Sequence, residues 1–198
     1  MKGTRTPGLA RAFLFRDLQL FPMRIAPAGS SLEGCDLDQG NEMSGTFEDS
    51  MQEILESMLS VCLEYSDDRA NGIYLYCSAE QGLLAADVFY EIGAGFYEKH
   101  LLNKSVYSAE AAVFNTSEEH QSALLDCLLS DLKQLIALHD HHHREPPTEI
   151  KASYDVVRRS LAVEYGYALK YSNHDTLMAN DIFQAWFEER RWQRPRIG

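Results

Sequence analysis

Ile73-Tyr-Leu-Tyr-Cys77-Ser-Ala-Glu80-Gln-Gly82-Leu-Leu84-Ala-Ala-Asp87-Val-Phe-Tyr90 is the stretch on which the fold turns. Its first five residues are β-branched, aliphatic or aromatic, the composition of a strand that fits a pleated, half-buried surface. Glu80-Gln-Gly82 then supplies a turn, and Leu84, Ala86, Val88 and Tyr90 alternate with Ala85, Asp87, Phe89 and Glu91. A period of two sends these sets to opposite faces, so the stretch predicts an antiparallel hairpin. Gly93-Ala-Gly95 is a second turn signal and predicts a third strand over residues 96–101, while residues 103–116 carry no assignable period.

Helical patterns flank this hairpin. Thr46-Phe-Glu-Asp49 is a capping box with Asp in place of Glu, and Met51, Ile54, Leu55, Met58, Cys62 and Tyr65 recur behind it at helical spacing. Asn71-Gly72 is the expected stop, because glycine tolerates the left-handed backbone that ends helices. Thr116-Ser-Glu-Glu119 is a full capping box, and the stripe Leu124, Leu128, Leu132, Leu135 runs to about His142 before Pro146-Pro147 forbid continuation. Beyond the prolines, Ile150, Ala152, Tyr154 and Val156 alternate with Lys151, Ser153 and Asp155. Leu161, Val163, Tyr165 and Tyr167 then alternate with Ala162, Glu164 and Gly166, a second hairpin that turns at Arg158-Arg159. Ile182, Phe183, Trp186 and Phe187 mark one face of a last helix, from about Asn180 to Trp192. The order α-β-β-(β)-α-β-β-α predicts an α+β fold: an antiparallel sheet of four to five strands with helices packed on one face.

The 198 residues are 45% hydrophobic and 11% aromatic, enough to bury a sizeable core. Charge is distributed unevenly. Residues 1–42 hold five Lys/Arg and five Asp/Glu, whereas residues 43–187 hold nine against 23, a net of −14; Arg190, Arg191, Arg194 and Arg196 reverse the sign at the end. A surface this negative repels phosphate backbones, so direct DNA or RNA binding is not expected. Residues 1–42, broken by Pro7, Pro22 and Pro27, are expected to be a poorly ordered leader. Met43 directly precedes the first helix start and is the expected beginning of the functional chain, a single α+β domain over residues 43–198. Arg16 and Asp17 interrupt the apolar stretch a secretory signal requires, and no apolar run reaches the roughly 18–20 residues that cross a bilayer. A cytoplasmic protein without a membrane partner is expected.

No pattern of catalytic residues emerges. His139 and His143 are four apart in His139-Asp-His-His-His143, the spacing two imidazoles need to share a metal, but no further ligand follows at a defined distance. Imidazoles at a helix C-terminus are favoured by the macrodipole in any case. The four cysteines form no CxxC pair, and those on apolar stripes read as reduced core thiols. GxSxG is absent, and Gly93-Ala-Gly95 lacks the third glycine of a dinucleotide loop. No catalytic, cofactor-binding or metal-binding residue is therefore assigned. Ten tyrosines, several alternating through strands as Tyr74/Tyr76 and Tyr165/Tyr167, point instead to surfaces that combine apolar area with a polar handle.

In element order, residues 46–192 resemble the YezG-like immunity proteins. The likeness extends to the Tyr-rich first hairpin, to Pro147-Thr-Glu-Ile-Lys-Ala-Ser-Tyr-Asp155 and Leu161-Ala-Val-Glu-Tyr-Gly-Tyr167, and to the closing aromatic segment with Trp186. This resemblance implies a non-catalytic protein that neutralises a cognate bacterial toxin, often a nuclease, encoded beside it. Nucleases hold phosphates with Lys and Arg, so an acidic inhibitor can match that groove and imitate the substrate's charge. Asp87, Glu91, Asp155 and Glu164, outward-facing among apolar strand positions, are the expected contact set. Two other readings stay open: a metal-dependent hydrolase using His139, His141 and His143, and a non-catalytic adaptor whose exposed aromatics form a homodimer.

Overall fold

The computed structural model of the protein describes residues 12–13, 46–106 and 112–193. In chain order its elements are β1 (Ala12–Phe13), α1 (Phe47–Tyr65), β2 (Gly72–Glu80), β3 (Leu83–Ile92) and β4 (Gly95–Glu98). A 3₁₀ segment (Lys99–Ser105) follows, then α2 (Glu118–His141), β5 (Glu149–Asp155), β6 (Ser160–Gly166) and α3 (Ala179–Gln193). The expected leader lies outside the described residues apart from β1, where Ala12 and Phe13 pair with Glu164 and Val163.

Both hairpins form, and they join edge to edge. Gln81 and Gly82 turn the first with φ of 50° and 81°, the paired left-handed conformation that matches strand twist in a two-residue loop. β2 then pairs antiparallel with β3 on one side and β5 on the other, giving the strand order β1-β6-β5-β2-β3-β4. The fold is α+β on an antiparallel sheet. The third strand of the first half is shorter than expected, because the chain leaves β4 after Glu98 and winds into the 3₁₀ segment, burying Leu102.

The first capping box acts where the pattern places it, whereas α2 is capped one residue later than the expected Thr116, by Ser117 and without a reciprocal box. Thr46 accepts from the Asp49 backbone N–H at 3.2 Å while Asp49 accepts from the Thr46 N–H at 3.1 Å, and Ser117 caps α2 by accepting from His120 at 3.3 Å. Helix α1 ends earlier than Asn71-Gly72. Asp67 and Asp68 take φ of 50° and 55° and donate their N–H groups back to Glu64 and Leu63, so aspartates, which visit the left-handed region more readily than most residues, do the work expected of glycine. Gly72 is instead the first residue of β2.

Helices α1 and α2 pack on the sheet face that carries Ile73, Leu75, Cys77, Val88, Tyr90, Ile150 and Ala152, through Met58, Leu59, Cys62, Leu124, Leu128 and Leu135. The expectation that helices share one face needs correcting for α3. Its Phe183, Trp186 and Phe187 pack with Tyr76 and Phe89 in a separate cluster, and Tyr76 and Phe89 point away from α1 and α2. The physical reason is two-sided burial: β2 is apolar on both faces, and a strand of that kind needs cover on each.

Cys62 and Cys77 are free and buried. Burial pushes the Cys77 thiol up to about 12 and the Cys62 thiol further still, so neither is a thiolate at neutral pH. Between the two long helices, Asp131 buries its Oδ2 without a hydrogen-bond partner, and burial raises its pKa although the Ser57 hydroxyl pulls the other way. A raised folded pKa means the carboxylate weakens the fold as pH climbs above its unfolded value of about 4. Asp131→Asn is expected to stabilise the protein at pH 7 by about 1 kcal/mol. Urea unfolding should show that gain shrinking as the pH falls towards about 4.

Candidate functional site

On the α3 face the strand registers set side chains in rows. One row runs Glu91, Gly72, Asp155, Ser160; the next runs Phe89, Tyr74, Ser153, Ala162; a third runs Asp87, Tyr76, Lys151, Glu164. Successive rows are two residues, about 7 Å, apart along the strands, and neighbours within a row are about 5 Å apart. Helix α3 lies over part of this surface: Trp186 meets Phe89 edge-on at 5.0 Å and Tyr74 at 6.0 Å.

How α3 reaches this face is determined at the other end of the sheet. Glu80, fully buried, accepts from the Lys170 N–H at 2.7 Å, the Tyr171 N–H at 3.3 Å, the Ser172 N–H at 3.0 Å and the Ser172 hydroxyl at 2.7 Å. Ser78 Oγ and Tyr171 Oη hydrogen-bond at 2.8 Å, and the Thr148 hydroxyl donates to the Ala168 carbonyl at 3.0 Å. These bonds pin the connection that leaves β6 and delivers α3 to the far face.

Where α3 ends, a groove of about 780 Å³ opens between its last turn and the sheet. Gly72, Tyr74, Glu91, Ser153, Asp155 and Arg190 line it. Tyr74 stacks on Phe89 at 4.8 Å and 2°, and its hydroxyl donates to Glu91 Oε2 at 3.2 Å. Burial raises the Tyr74 pKa, the Glu91 carboxylate adds to the rise, and Arg190 partly offsets it. The Arg190 guanidinium sits 4.9 Å over the Tyr74 ring and donates from Nη2 to Ser153 Oγ at 3.0 Å. Asn71 ties the rim together. It donates its N–H to the Glu91 carbonyl at 2.7 Å, accepts from Gly93 N–H on Oδ1 at 2.6 Å, and accepts from Val156 N–H on its carbonyl at 3.0 Å.

The four residues expected to contact a partner all sit at positions of this face, but only two of them share the groove. Glu91 and Asp155 flank Gly72, about 10 Å apart across three strands. Asp87 lies two rows away and is engaged by Lys99, whose Nζ is 2.7 Å from Oδ1 and 2.9 Å from Oδ2. Glu164 is exposed in the same row as Asp87, beside Lys151. Gly72, Tyr74, Ser153 and Arg190 were not singled out from the sequence. Tyr74 carried a signal in the Tyr-rich strand, and Arg190 read only as part of a basic tail.

The histidine cluster serves packing. His139 is buried, its Nδ1 bonds the Leu135 carbonyl at 2.8 Å, and its ring meets Phe47 edge-on at 5.0 Å. His142 meets the same ring edge-on at 5.3 Å, and Arg144 stacks 3.8 Å above Phe47 while pairing with Glu48 at 3.0 Å. His143 turns away with φ of 51° beyond the helix end. Among the described residues no group of three His, Cys, Asp or Glu side chains is placed to hold a metal ion. No described helix is long and apolar enough to cross a membrane. Neither a family model nor a curated protein matches the chain.

Proposed function

We propose that the protein is a non-catalytic binder of the immunity type, acting in the cytoplasm of the producing cell to occlude a cognate basic toxin domain with the α3 side of its sheet. The observation that carries this reading is the placement of charge. A chain with a net of −14 over residues 43–187 turns Glu91, Asp155 and Glu164 to one sheet face, and a groove with a Tyr wall opens between the first two. Dense negative charge attracts a phosphate-binding protein over long range, and an aromatic-walled groove beside it gives the encounter a place to settle. The resemblance in element order to YezG-like proteins supports the same reading. The His139 bond to Leu135 and the burial of both free thiols leave those groups engaged in structure.

Co-expression with the effector encoded beside it tests the proposal. The intact chain is expected to restore growth and to co-purify with that effector. Growth arrest that persists despite soluble expression of the chain would count against it.

A further inference from the structure

Apart from β1, the sheet ends on β4 at one side and on β6 at the other. β4 is four residues long, and the chain leaves it at once for the 3₁₀ segment. β6 runs for seven residues, Ser160-Leu-Ala-Val-Glu-Tyr-Gly166, and pairs with β5 in one unbroken register from Asp155↔Ser160 to Glu149↔Gly166. Its sequence holds no proline and no lysine, its register no bulge, and Glu164 is its one charge. Bulges, prolines, lysines and short strands are the devices that keep an edge from pairing with another chain, and β6 has none of them. Backbone N–H and C=O groups alternate in direction along an antiparallel strand, so about half of those on β6 point away from β5.

Against that side lies β1, with Ala12 paired to Glu164 and Phe13 to Val163. The two residues fall within Leu9-Ala-Arg-Ala-Phe-Leu-Phe-Arg-Asp17, a stretch without proline or glycine. Residues 14–45, 32 in number, separate this bridge from Thr46, the N-cap of α1. Closing a loop of that length costs entropy that a two-residue ladder offsets only weakly, so the contact opens readily. On the helix side Leu161, Val163 and Tyr165 already pack into the core, so what β6 offers an added segment is its main chain. Strand addition draws its affinity from main-chain hydrogen bonds of that kind.

We propose that the outer edge of β6 is a strand-addition site and that the chain's own leader, seated through Ala12 and Phe13, occupies it in cis as a removable cover. The contact uses the backbone of Val163 and Glu164, neither of which lines the groove beside α3. The double variant Ala12→Pro/Phe13→Pro of the full chain tests it, since proline lacks the N–H and disfavours the pairing. Its β6 amides are expected to exchange with solvent about tenfold or more faster than those of the native chain, with an unchanged circular dichroism spectrum. A fluorescent synthetic peptide of residues 9–17 should bind the double variant saturably and the native chain about tenfold or more weakly, because the tethered segment competes. The same peptide carrying Ala12→Pro and Phe13→Pro should bind neither. Should the double variant unfold, Ala12→Gly/Phe13→Gly, which weakens a strand without removing a donor, is expected to show the same changes in smaller measure. Equal β6 exchange in native and variant chains, or a peptide that binds both alike or neither, would overturn the proposal. A doubled light-scattering mass of the variant that excess peptide does not reverse would overturn it too, assigning the edge to a second copy.

Discussion

Phe89→Ala is expected to lower the free energy of unfolding by about 4 kcal/mol, the largest effect of any single change on the α3 side. The Phe89 ring is fully buried and meets Tyr74, Trp186, Phe187 and Phe183 at centroid distances of 4.8, 5.0, 5.1 and 5.8 Å. It is the side chain through which the sheet holds α3, and α3 carries the arginine that walls the groove. Removing the ring opens a cavity that three aromatic neighbours on one helix cannot close without that helix moving. Guanidinium unfolding should show the loss in its midpoint, and Trp186 emission in the folded variant should shift to the red. Phe89→Leu, which keeps most of the volume, is expected to cost only about 1–1.5 kcal/mol.

Glu80→Ala is expected to cost about 3 kcal/mol, because it leaves three backbone N–H groups and a hydroxyl of the α3 connection without their acceptor. Burial pushes this carboxyl up and is the largest single influence on it, yet the Ser172, Lys170 and Tyr171 donors together hold its pKa below the ordinary glutamate value. A depressed folded pKa fixes the sign of the pH dependence. The stabilisation is complete above the unfolded value of about 4.3 and is lost as pH falls through the lower folded one. Urea midpoints measured from about pH 7 down to about pH 2 should therefore drop more steeply for the native chain than for Glu80→Gln. Equal slopes would mean that this carboxylate is not the anchor of the connection.

The elements themselves were legible because their signals are local. A capping box, a Gln-Gly turn and a leucine stripe each depend on residues no more than four apart, and the structure forms α1, α2 and the first hairpin where those signals lie. The sidedness of α3 was not, since it depends on which face of β2 is already covered. The alternation Ile73, Leu75, Cys77 against Tyr74, Tyr76 was visible, but both sets are apolar enough to be buried, and only tertiary structure shows that α1 and α2 take the first and α3 the second. The same two-faced strand explains the tyrosines. Tyr76 packs under Phe183 and Tyr74 forms a groove wall, so one aromatic pattern serves a core and a surface at once.

The candidate site was half legible for a related reason. Alternation is enough to send Asp87, Glu91, Asp155 and Glu164 to one face, but it cannot say which of them a cation already engages. Lys99, twelve residues from Asp87 in the chain, comes to it only because β4 folds back along β3. Gly72 sits between Glu91 and Asp155 only because β2 lies between β3 and β5, a pairing between hairpins that are about 70 residues apart in the chain and share no local pattern. Arg190 comes from the far end of the molecule, carried there by a connection held on Glu80.

The account as a whole holds that an anionic sheet face, centred on Glu91 and Asp155, captures a cationic protein. Stopped-flow association of the purified chain with the effector encoded beside it, measured across ionic strengths, tests this most directly. The account predicts a rate constant that falls as salt shortens the Debye length below about 8 Å, and a loss of about tenfold or more in the Glu91→Lys/Asp155→Lys double variant at low salt. Association that ignores both salt and charge reversal would contradict it.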